Sequence, residues 1–256
     1  MRMCAVALMI AAGILRAQDG QQGPRAEWPC VAGRAVDPSY IDISESSGGQ
    51  LFLFQKSEVA QSGLVMSASY THPATVVRAV GHLSGSRDFD FPVDSTMESM
   101  LVLASLQCRT AIRVTRPNGM ELTDRNSAQS VDLQAGRILR VEHPEPGRWR
   151  VRLTGTGLFV LSVLAKSDLR VGAVRTSQDG VSARIAGDVS QVKLQLVDAA
   201  GDRLPGDQPT EVVDGLYRAG IRPAAERYRI VATGTDASAW PFQRMHPNLL
   251  RASQLK

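Results

Sequence analysis

Apolar residues separate three arginines along one segment: Arg148, Arg150 and Arg152. In an extended strand this alternation places the three arginines on one face. Arg113 alternates with apolar neighbours in the same way, and we expect it to join the three across a sheet. The planar guanidinium suits carboxylate, sulfate or phosphate groups, so these four residues are a candidate anion-binding patch. The alternative is a solvated face, because outward positions of an antiparallel sheet are polar in any case.

Two groups of carboxylates could serve acid–base chemistry. Asp88 and Asp90 alternate with apolar residues, which places them on one strand face near Asp94, and Glu142 and Glu145 flank a proline loop. A glycosidase needs two carboxylates on opposite sides of the bond that it cleaves, and the aspartates could instead hold calcium. Charged side chains are mostly solvent-exposed. A solvated face is therefore the preferred interpretation, and a catalytic sandwich that uses the aspartates is the weaker alternative.

The motifs of common catalytic and cofactor sites do not occur. Gly81–Gly85 is the nearest approach to a Gly-x-Ser-x-Gly nucleophile elbow, and its spacing is wrong. Three of the four histidines precede proline, a position typical of loops and strand ends. Neither a paired-histidine zinc motif nor a phosphate loop is present, and a hairpin explains Gly155-x-Gly157 better than a dinucleotide fingerprint does. We predict no catalytic residue, metal ligand or cofactor.

The first 17 residues have the layout of a secretory signal peptide. Arg2 supplies a positive start, Cys4–Leu15 is almost entirely small or apolar, and Ala17 precedes a plausible cleavage point. The apolar run is shorter than the ~20 residues needed to cross a bilayer, and no later run reaches that length. We predict cleavage after Ala17 and a secreted or periplasmic product without a transmembrane segment. A buried N-terminal helix is the alternative.

Cleavage would leave an even pair of cysteines, Cys30 and Cys108. In an oxidising compartment these two are expected to form a disulfide. Two separately buried thiols are the alternative, because a sequence does not give the distance between the two Cα atoms. A zinc site is disfavoured because no Cys-x-x-Cys or mixed Cys/His spacing occurs.

Composition bounds the class of protein. The 256 residues are 43% hydrophobic and 21% charged, which excludes a disordered polymer and a polytopic membrane protein. Cleavage removes Arg2 and Arg16 from 29 basic residues and none of the 25 acidic ones, so the net charge falls from +4 to +2. That charge is too small for a general nucleic-acid binder.

Short alternating segments separated by turn residues predict an all-β fold with two β-sandwiches. A tether over 18–36 leads into a helix-containing segment over 37–74, with a helix from Asp37 to Gly48-Gly49 and a buried strand over Leu51–Phe54. The first sandwich is expected over 75–167, with about seven strands and a central strand over Met100–Cys108 that is covered on both faces. The second, immunoglobulin-like or fibronectin-like sandwich is expected over 168–248, followed by a tail over 249–256.

Four short motifs occur in an order that resembles one extracellular family: Phe91–Thr96, Arg116–Gly119, Pro144–Trp149 and Phe242–Arg244. They look like the β-sandwich region that follows the von Willebrand factor A domain in hemicentin-like proteins. The resemblance covers Tyr40 to Pro247, and Tyr40–Gln50 is similar to the end of the A domain. A complete A domain holds a divalent cation through an Asp-x-Ser-x-Ser loop, and no such loop lies upstream of Tyr40. The resemblance therefore implies an extracellular adhesion or scaffolding module without that metal site.

These observations predict a secreted, non-catalytic adhesion, scaffolding or protein-interaction module. Its partner is expected to be a protein or a cell surface, contacted through strand edges and loops. The alternative is an accessory domain of a secreted hydrolase or carbohydrate-active system, whose enzyme would lie on a separate chain.

Overall fold

The computed structural model describes residues 36–123, 126–127, 129–177, 179–206 and 209–252. The predicted signal peptide, all but the last residue of the predicted tether, and Cys30 lie outside these residues. No helix in the described part of the chain is long and apolar enough to cross a membrane. Most described residues form antiparallel strands and only two α-helices occur among them, which confirms the all-β fold with a short helical segment before it.

The helical segment begins where the sequence predicts. Helix α1 covers Pro38–Ser47, and the Asp37 side chain caps it by accepting a hydrogen bond from the Ser39 backbone. The helix ends at Gly48, whose φ of 74° favours a residue without a side chain. A 3-10 helix over Lys56–Gln61 leads into α2, which covers Ser62–Thr71.

The predicted strand over Leu51–Phe54 is wrong, because this segment joins no strand ladder. It is nevertheless buried, and its side chains pack on one face of the first sheet. Leu51 and Leu53 contact one apolar cluster, and Phe52 and Phe54 contact another. The Leu53 amide donates to Ser105 Oγ at 3.2 Å instead of to a neighbouring strand.

Five strands form the first sheet, here called sheet I: β1 Ala74–Val93, β2 Ser99–Thr115, β3 Gln129–Asp132, β4 Gly136–Glu142 and β5 Gly147–Lys166. Their spatial order is β1-β5-β2-β4-β3, so β5 lies between β1 and β2 although it is the last of the five in sequence. All four pairings are antiparallel.

Sheet I folds over on itself to make the two layers of a sandwich. Phe159 of β5 pairs with Gly81, eight residues along β1 from Phe89. In a straight strand those positions would be about 26 Å apart, yet the ring centroids of Phe89 and Phe159 are 5.7 Å apart. The three long strands therefore contribute to both layers. The described region of the first sandwich has five strands instead of the predicted seven or so.

Glycines allow the fold-over. Gly155 of β5 lies opposite Gly85 of β1, and the two have φ angles of 146° and 107°. A Cβ atom on Gly155 would lie 2.1 Å from the carbonyl oxygen of Cys108, closer than any real contact. The hairpin predicted at Gly155-x-Gly157 is therefore wrong, because β5 continues through these residues and bends there.

The central strand predicted over Met100–Cys108 is confirmed, but Gln107 and Cys108 at its end are only half-buried. Its side chains are buried on both faces from Met100 to Leu106. One face points into the sandwich core, where Met100 and Val102 pack, and the other face contacts the helical segment through Leu101 and Leu103.

Eight further strands follow in the described residues: β6 Arg170–Ser177, β7 Gly180–Ala186, β8 Val189–Val197, β9 Thr210–Val213, β10 Leu216–Ala219, β11 Arg227–Asp236, β12 Pro241–Met245 and β13 Leu250–Arg251. Sheet II has the order β6-β7-β10-β9, and sheet III is built on β11, which pairs with β8, β12 and β13. Apolar side chains of the two sheets share one core, including Ala183 and Ala219 from sheet II and Leu196, Ile230 and Phe242 from sheet III. The predicted tail differs from the structure over 249–252, because Leu250 and Arg251 pair with β11.

The second sandwich covers the outer edge of β1. The Val80 amide donates to the carbonyl oxygen of Ala199 at 2.8 Å, and Gln243 Nε2 donates to the carbonyl oxygen of Val76 at 2.9 Å. Since β1 is an edge strand of sheet I, these contacts satisfy polar backbone groups that would otherwise offer a site for another strand.

Candidate functional site

The predicted arginine patch lies on the outer face of β5, directly opposite two aspartates of β1. The register pairs Asp88 with Arg152 and Asp90 with Arg150. Arg152 Nε lies 2.5 Å from Asp88 Oδ1, and Arg150 Nε lies 2.7 Å from Asp90 Oδ1. Arg148 Nη2 lies 2.9 Å from Asp90 Oδ2. We call these five residues the charge ladder.

Arginine holds each ladder carboxylate in its charged form. The hydrogen bond from Arg152 lowers the pKa of Asp88, and the hydrogen bond from Arg150 lowers the pKa of Asp90. The same two bonds raise the pKa of both arginines. Because the Arg148 side chain is 75% exposed and its neighbours are also open to water, each ion pair contributes little to stability.

Arg113 of β2 pairs with Arg152 in the sheet register, as the sequence leads us to expect. Arg113 Nε lies 3.9 Å from Glu121 Oε2. The face thus carries four arginines opposed by three carboxylates, so its charge is almost balanced. An anionic ligand would compete with these internal pairs, whereas a partner of mixed charge would complement them.

The carboxylates considered for catalysis do not gather at one place. Asp94 is buried and paired with Arg244, and Glu142 lies 2.6 Å from Arg140. In the described part of the chain, no three His, Cys, Asp or Glu side chains are close enough together to hold a metal ion. Cys108 lies on β2, and its predicted disulfide stays a prediction because Cys30 is outside the described residues.

A serine–histidine contact that the sequence did not reveal anchors α2 to β2. His72 Nε2 lies 2.9 Å from Ser99 Oγ, and His72 Nδ1 lies 2.8 Å from Thr71 Oγ1. His72 is 2% exposed and Ser99 is 1% exposed. A substrate carbonyl cannot reach Ser99 Oγ in this enclosed position, so the contact is structural.

Stability is expected to fall by about 3 kcal/mol between pH 6.5 and pH 4, because burial lowers the pKa of His72 from 6.5 to about 4. Below pH 6.5 the unfolded chain binds a proton that the folded chain excludes, so this contribution is complete above pH 6.5 and is lost as the pH falls to 4. Urea denaturation at closely spaced pH values measures the effect. In His72→Gln the slope over this window should flatten, and an unchanged slope in that variant would contradict the assignment to His72.

Two of the four family-like motifs meet where the two sandwiches join. Arg244 of β12 donates to both carboxylate oxygens of Asp94, at 2.6 and 3.1 Å. Arg244 is 0% exposed and Asp94 is 1% exposed. The guanidinium also donates to two carbonyl oxygens and two hydroxyls, those of Leu169, Gln243, Thr96 and Ser167. Every guanidinium nitrogen therefore has a partner, and the pair ties β12 to the end of β1.

A second buried cluster joins α1 to both sandwiches. Arg78 Nε donates to Glu45 Oε1 at 2.9 Å, and Arg229 Nη2 contacts Glu45 Oε2. All three side chains are at most 2% exposed. Burial lowers the pKa of Arg78 to about 10 and that of Arg229 to about 9, so both stay charged at neutral pH. One carboxylate therefore neutralises part of the charge of two buried cations.

The other two motifs meet at one end of the first sandwich. Trp149 Nε1 donates to the carbonyl oxygen of Glu145 at 2.9 Å, and the Arg116 guanidinium lies 5.9 Å from the centre of the Trp149 ring. A Cβ atom on Gly147 would lie 2.8 Å from Pro117 Cγ, so these two loops are in close contact. The motifs thus have structural roles.

Two open concavities lie on the second sandwich. One of about 690 Å³ is on the outer face of sheet II and includes Arg175, Ser182 and Arg218. The other, of about 780 Å³, is lined by β8 and the start of β9, including Lys193 and Thr210. Neither concavity was predicted from the sequence. Arg175, Lys193 and Arg218 each occur there only as a single charged residue in an alternating segment.

Residues 74–168, which include all of sheet I, match the family described as Hemicentin galactose-binding domain-like. The match confirms the resemblance to hemicentin-like proteins for this part of the chain, and it does not reach the segment compared with an A domain. No curated protein matches the chain.

Two solved structures show a distant similarity. A lipase of Bacillus licheniformis, BlEst2 in its propeptide form, is 15% identical, with 66% of this chain and 40% of the lipase covered and a TM-score of 0.34. A beta-1,2-glucanase from Parabacteroides distasonis is 8% identical, with 65% of this chain and 35% of the glucanase covered and a TM-score of 0.21. The chain spans well under half the length of either protein.

Proposed function

We propose that this chain is an exported, non-catalytic binding module that holds a protein or cell-surface partner against the charge ladder of its first sandwich. The family match supports a binding role for residues 74–168. The observation that carries the proposed surface is the ladder itself, in which two aspartates of β1 and three arginines of β5 lie side by side on the outer face of sheet I.

The placement of the buried polar groups supports a non-catalytic role. The Asp94–Arg244 pair, the Glu45 cluster and the His72–Ser99 contact all use their hydrogen bonds inside the protein. None of these groups in the described residues is open to a substrate, because each is at most 2% exposed.

A partner of mixed charge fits the ladder better than a polyanion does. The acidic groups lie on β1 beside the basic groups of β5, and interfaces of this kind gain specificity from matching charges in register. Arg148 is 75% exposed and Arg113 is 61% exposed. Their guanidinium groups could therefore donate hydrogen bonds to a partner's carboxylates or carbonyl oxygens.

Export and a disulfide complete the proposal. Residues 1–17 would direct the chain out of the cytoplasm, and Cys30 would pair with Cys108 in the oxidising compartment beyond. The bridge would tie the segment that follows the signal peptide to β2.

The test is capture of a partner from the exported fraction by the immobilised mature chain, followed by titration of the purified partner. Replacing Arg148 and Arg150 with Gln is expected to weaken the measured affinity about tenfold or more, because charge-assisted hydrogen bonds are worth about 1.5–3 kcal/mol each. The matched control replaces Arg175 and Arg218 with Gln, which removes the same charge from the second sandwich.

Equal binding by wild type and the Arg148/Arg150 variant would refute the ladder as the contact surface. Capture of a co-secreted hydrolase that binds elsewhere on the chain would favour the accessory-domain alternative.

A further inference from the structure

We propose that the outer face of sheet II is a second binding site, which takes a linear acidic polysaccharide bearing carboxylate or sulfate groups. This site lies on the other sandwich and is independent of the charge ladder.

Strand register places two arginines on either side of one serine. Arg175 of β6 and Arg218 of β10 both pair with Ser182 of β7. Neighbouring strands are about 4.8 Å apart, so the two arginine backbones are separated by about 10 Å across the sheet. Arg184 lies two residues beyond Ser182 on the same outward face of β7, whose intervening residue Ala183 is buried.

These arginines differ from those of the ladder because they have no ion-pair partner in the part of the chain that the structure describes. Arg175, Arg184 and Arg218 are exposed, and no carboxylate in the described residues lies within 4.0 Å of their nitrogens. Each guanidinium can therefore present its full planar fork to an anionic group. Ser182 adds a hydroxyl between Arg175 and Arg218.

The shape of the site favours a chain-like ligand. The concavity has a volume of about 690 Å³, within the range of about 300–1,000 Å³ for ligand sites, and it is open along the face instead of enclosed. Gly220, which is exposed, lines the concavity without a side chain, so a polymer can approach the backbone closely there.

The acidic residues of the site favour a polysaccharide over a nucleic acid. Asp179 and Glu211 also line the concavity, and Glu211 pairs with Arg218 in the sheet register. Carboxylates accept hydrogen bonds from sugar hydroxyls, whereas they repel a continuous row of phosphates. A polymer with both acidic groups and free hydroxyls satisfies the arginines and the carboxylates together.

The test measures the affinity of the full mature chain for heparin, which is sulfated, and for polygalacturonate, which is carboxylated. Replacing Arg175 and Arg218 with Gln is expected to weaken binding of the preferred polymer about tenfold or more, since each lost pair is a charge-assisted hydrogen bond. The matched control, in which Gln replaces Arg148 and Arg150, loses the same charge and is expected to bind within about twofold of wild type. All four side chains are on the surface, so both variants should fold, and their circular dichroism and midpoint of thermal unfolding check this.

Comparing heparin with polygalacturonate shows whether the site prefers sulfate or carboxylate groups. Uncharged dextran and single-stranded DNA are measured as controls. Binding of neither acidic polymer would overturn the proposal, as would an equal loss in the two double variants, which would indicate attraction by net charge alone. Tighter binding of the DNA than of both polysaccharides would also overturn it. A partner that still binds the ladder while the polysaccharides fail would leave the proposed function standing and reject this site alone.

Discussion

Replacing Glu45 with Gln is expected to lower the free energy of unfolding by about 3–5 kcal/mol, because it leaves two buried cations without their carboxylate. Arg78 and Arg229 both contact Glu45, and neither side chain is more than 2% exposed. Gln retains the size of the side chain and part of its hydrogen bonding. The decrease in the free energy of unfolding therefore reports the effect of removing the negative charge. Urea denaturation followed by circular dichroism at neutral pH gives the difference.

Asp42 provides the matched control on the same helix. Its carboxylate lies 2.5 Å from Arg227, but its side chain is 46% exposed, so Asp42→Asn is expected to cost less than about 1 kcal/mol. Similar losses for the two substitutions would mean that α1 itself, and not the buried charge, determines the effect.

The second large effect concerns the Asp94–Arg244 pair that joins the two sandwiches. Asp94→Asn is expected to cost about 3–5 kcal/mol, since the guanidinium stays buried while its bidentate partner becomes neutral. The same denaturation experiment measures this loss. Trp149, which is buried in the first sandwich, and Trp240, which is 41% exposed in the second, supply fluorescence signals from both sides of the junction.

A double-mutant cycle with Asp94→Ala and Arg244→Ala separates the pair from its surroundings. We expect the double variant to lose clearly less than the sum of the two single losses, because each single change already breaks the interaction. Additive losses would show that Asp94 and Arg244 act independently. Asp90→Asn, at a partly exposed ladder position bonded to the exposed Arg148 and Arg150, should cost no more than about 1 kcal/mol.

Local signals in the sequence predicted the elements that depend on local physics. Asp37 and Pro38 mark the beginning of α1, and Gly48 marks its end, because capping and a positive φ act within one turn of the helix. The apolar run from Met100 predicts a strand that is covered on both faces. The outward arginines of β5 follow from alternation alone.

The buried arginines could not be located in this way. Charged residues are mostly exposed, and the partners of Arg78 and Arg244 lie 33 and 150 residues away in the sequence. A weak signal was nevertheless present. Arg244 stands two residues after Phe242, on the inward face of β12, and Arg78 interrupts the apolar run of β1.

The sequence also did not show where the long strands bend or which exposed arginines lack a carboxylate partner among the described residues. Gly155 resembles a hairpin residue, and only the tertiary structure shows that it bends one continuous strand against the backbone of Cys108. Likewise, four arginines predicted to form an anion site are opposed by carboxylates of neighbouring strands. Arg175 and Arg218, which lack a carboxylate partner among the described residues, come together only through the register of sheet II.

The position of β5 between β1 and β2 dictates the order in which the first sandwich can be assembled. Its pairs join Val93 to Gly147 and Ala74 to Ala165, and contacts between residues so far apart in the chain make folding slow. A nascent chain that ends before Gly147 contains β1 and β2 without the strand that lies between them, so the edges that face β5 stay unpaired. The first sandwich is therefore expected to be completed only after the last strand of sheet I has been synthesised.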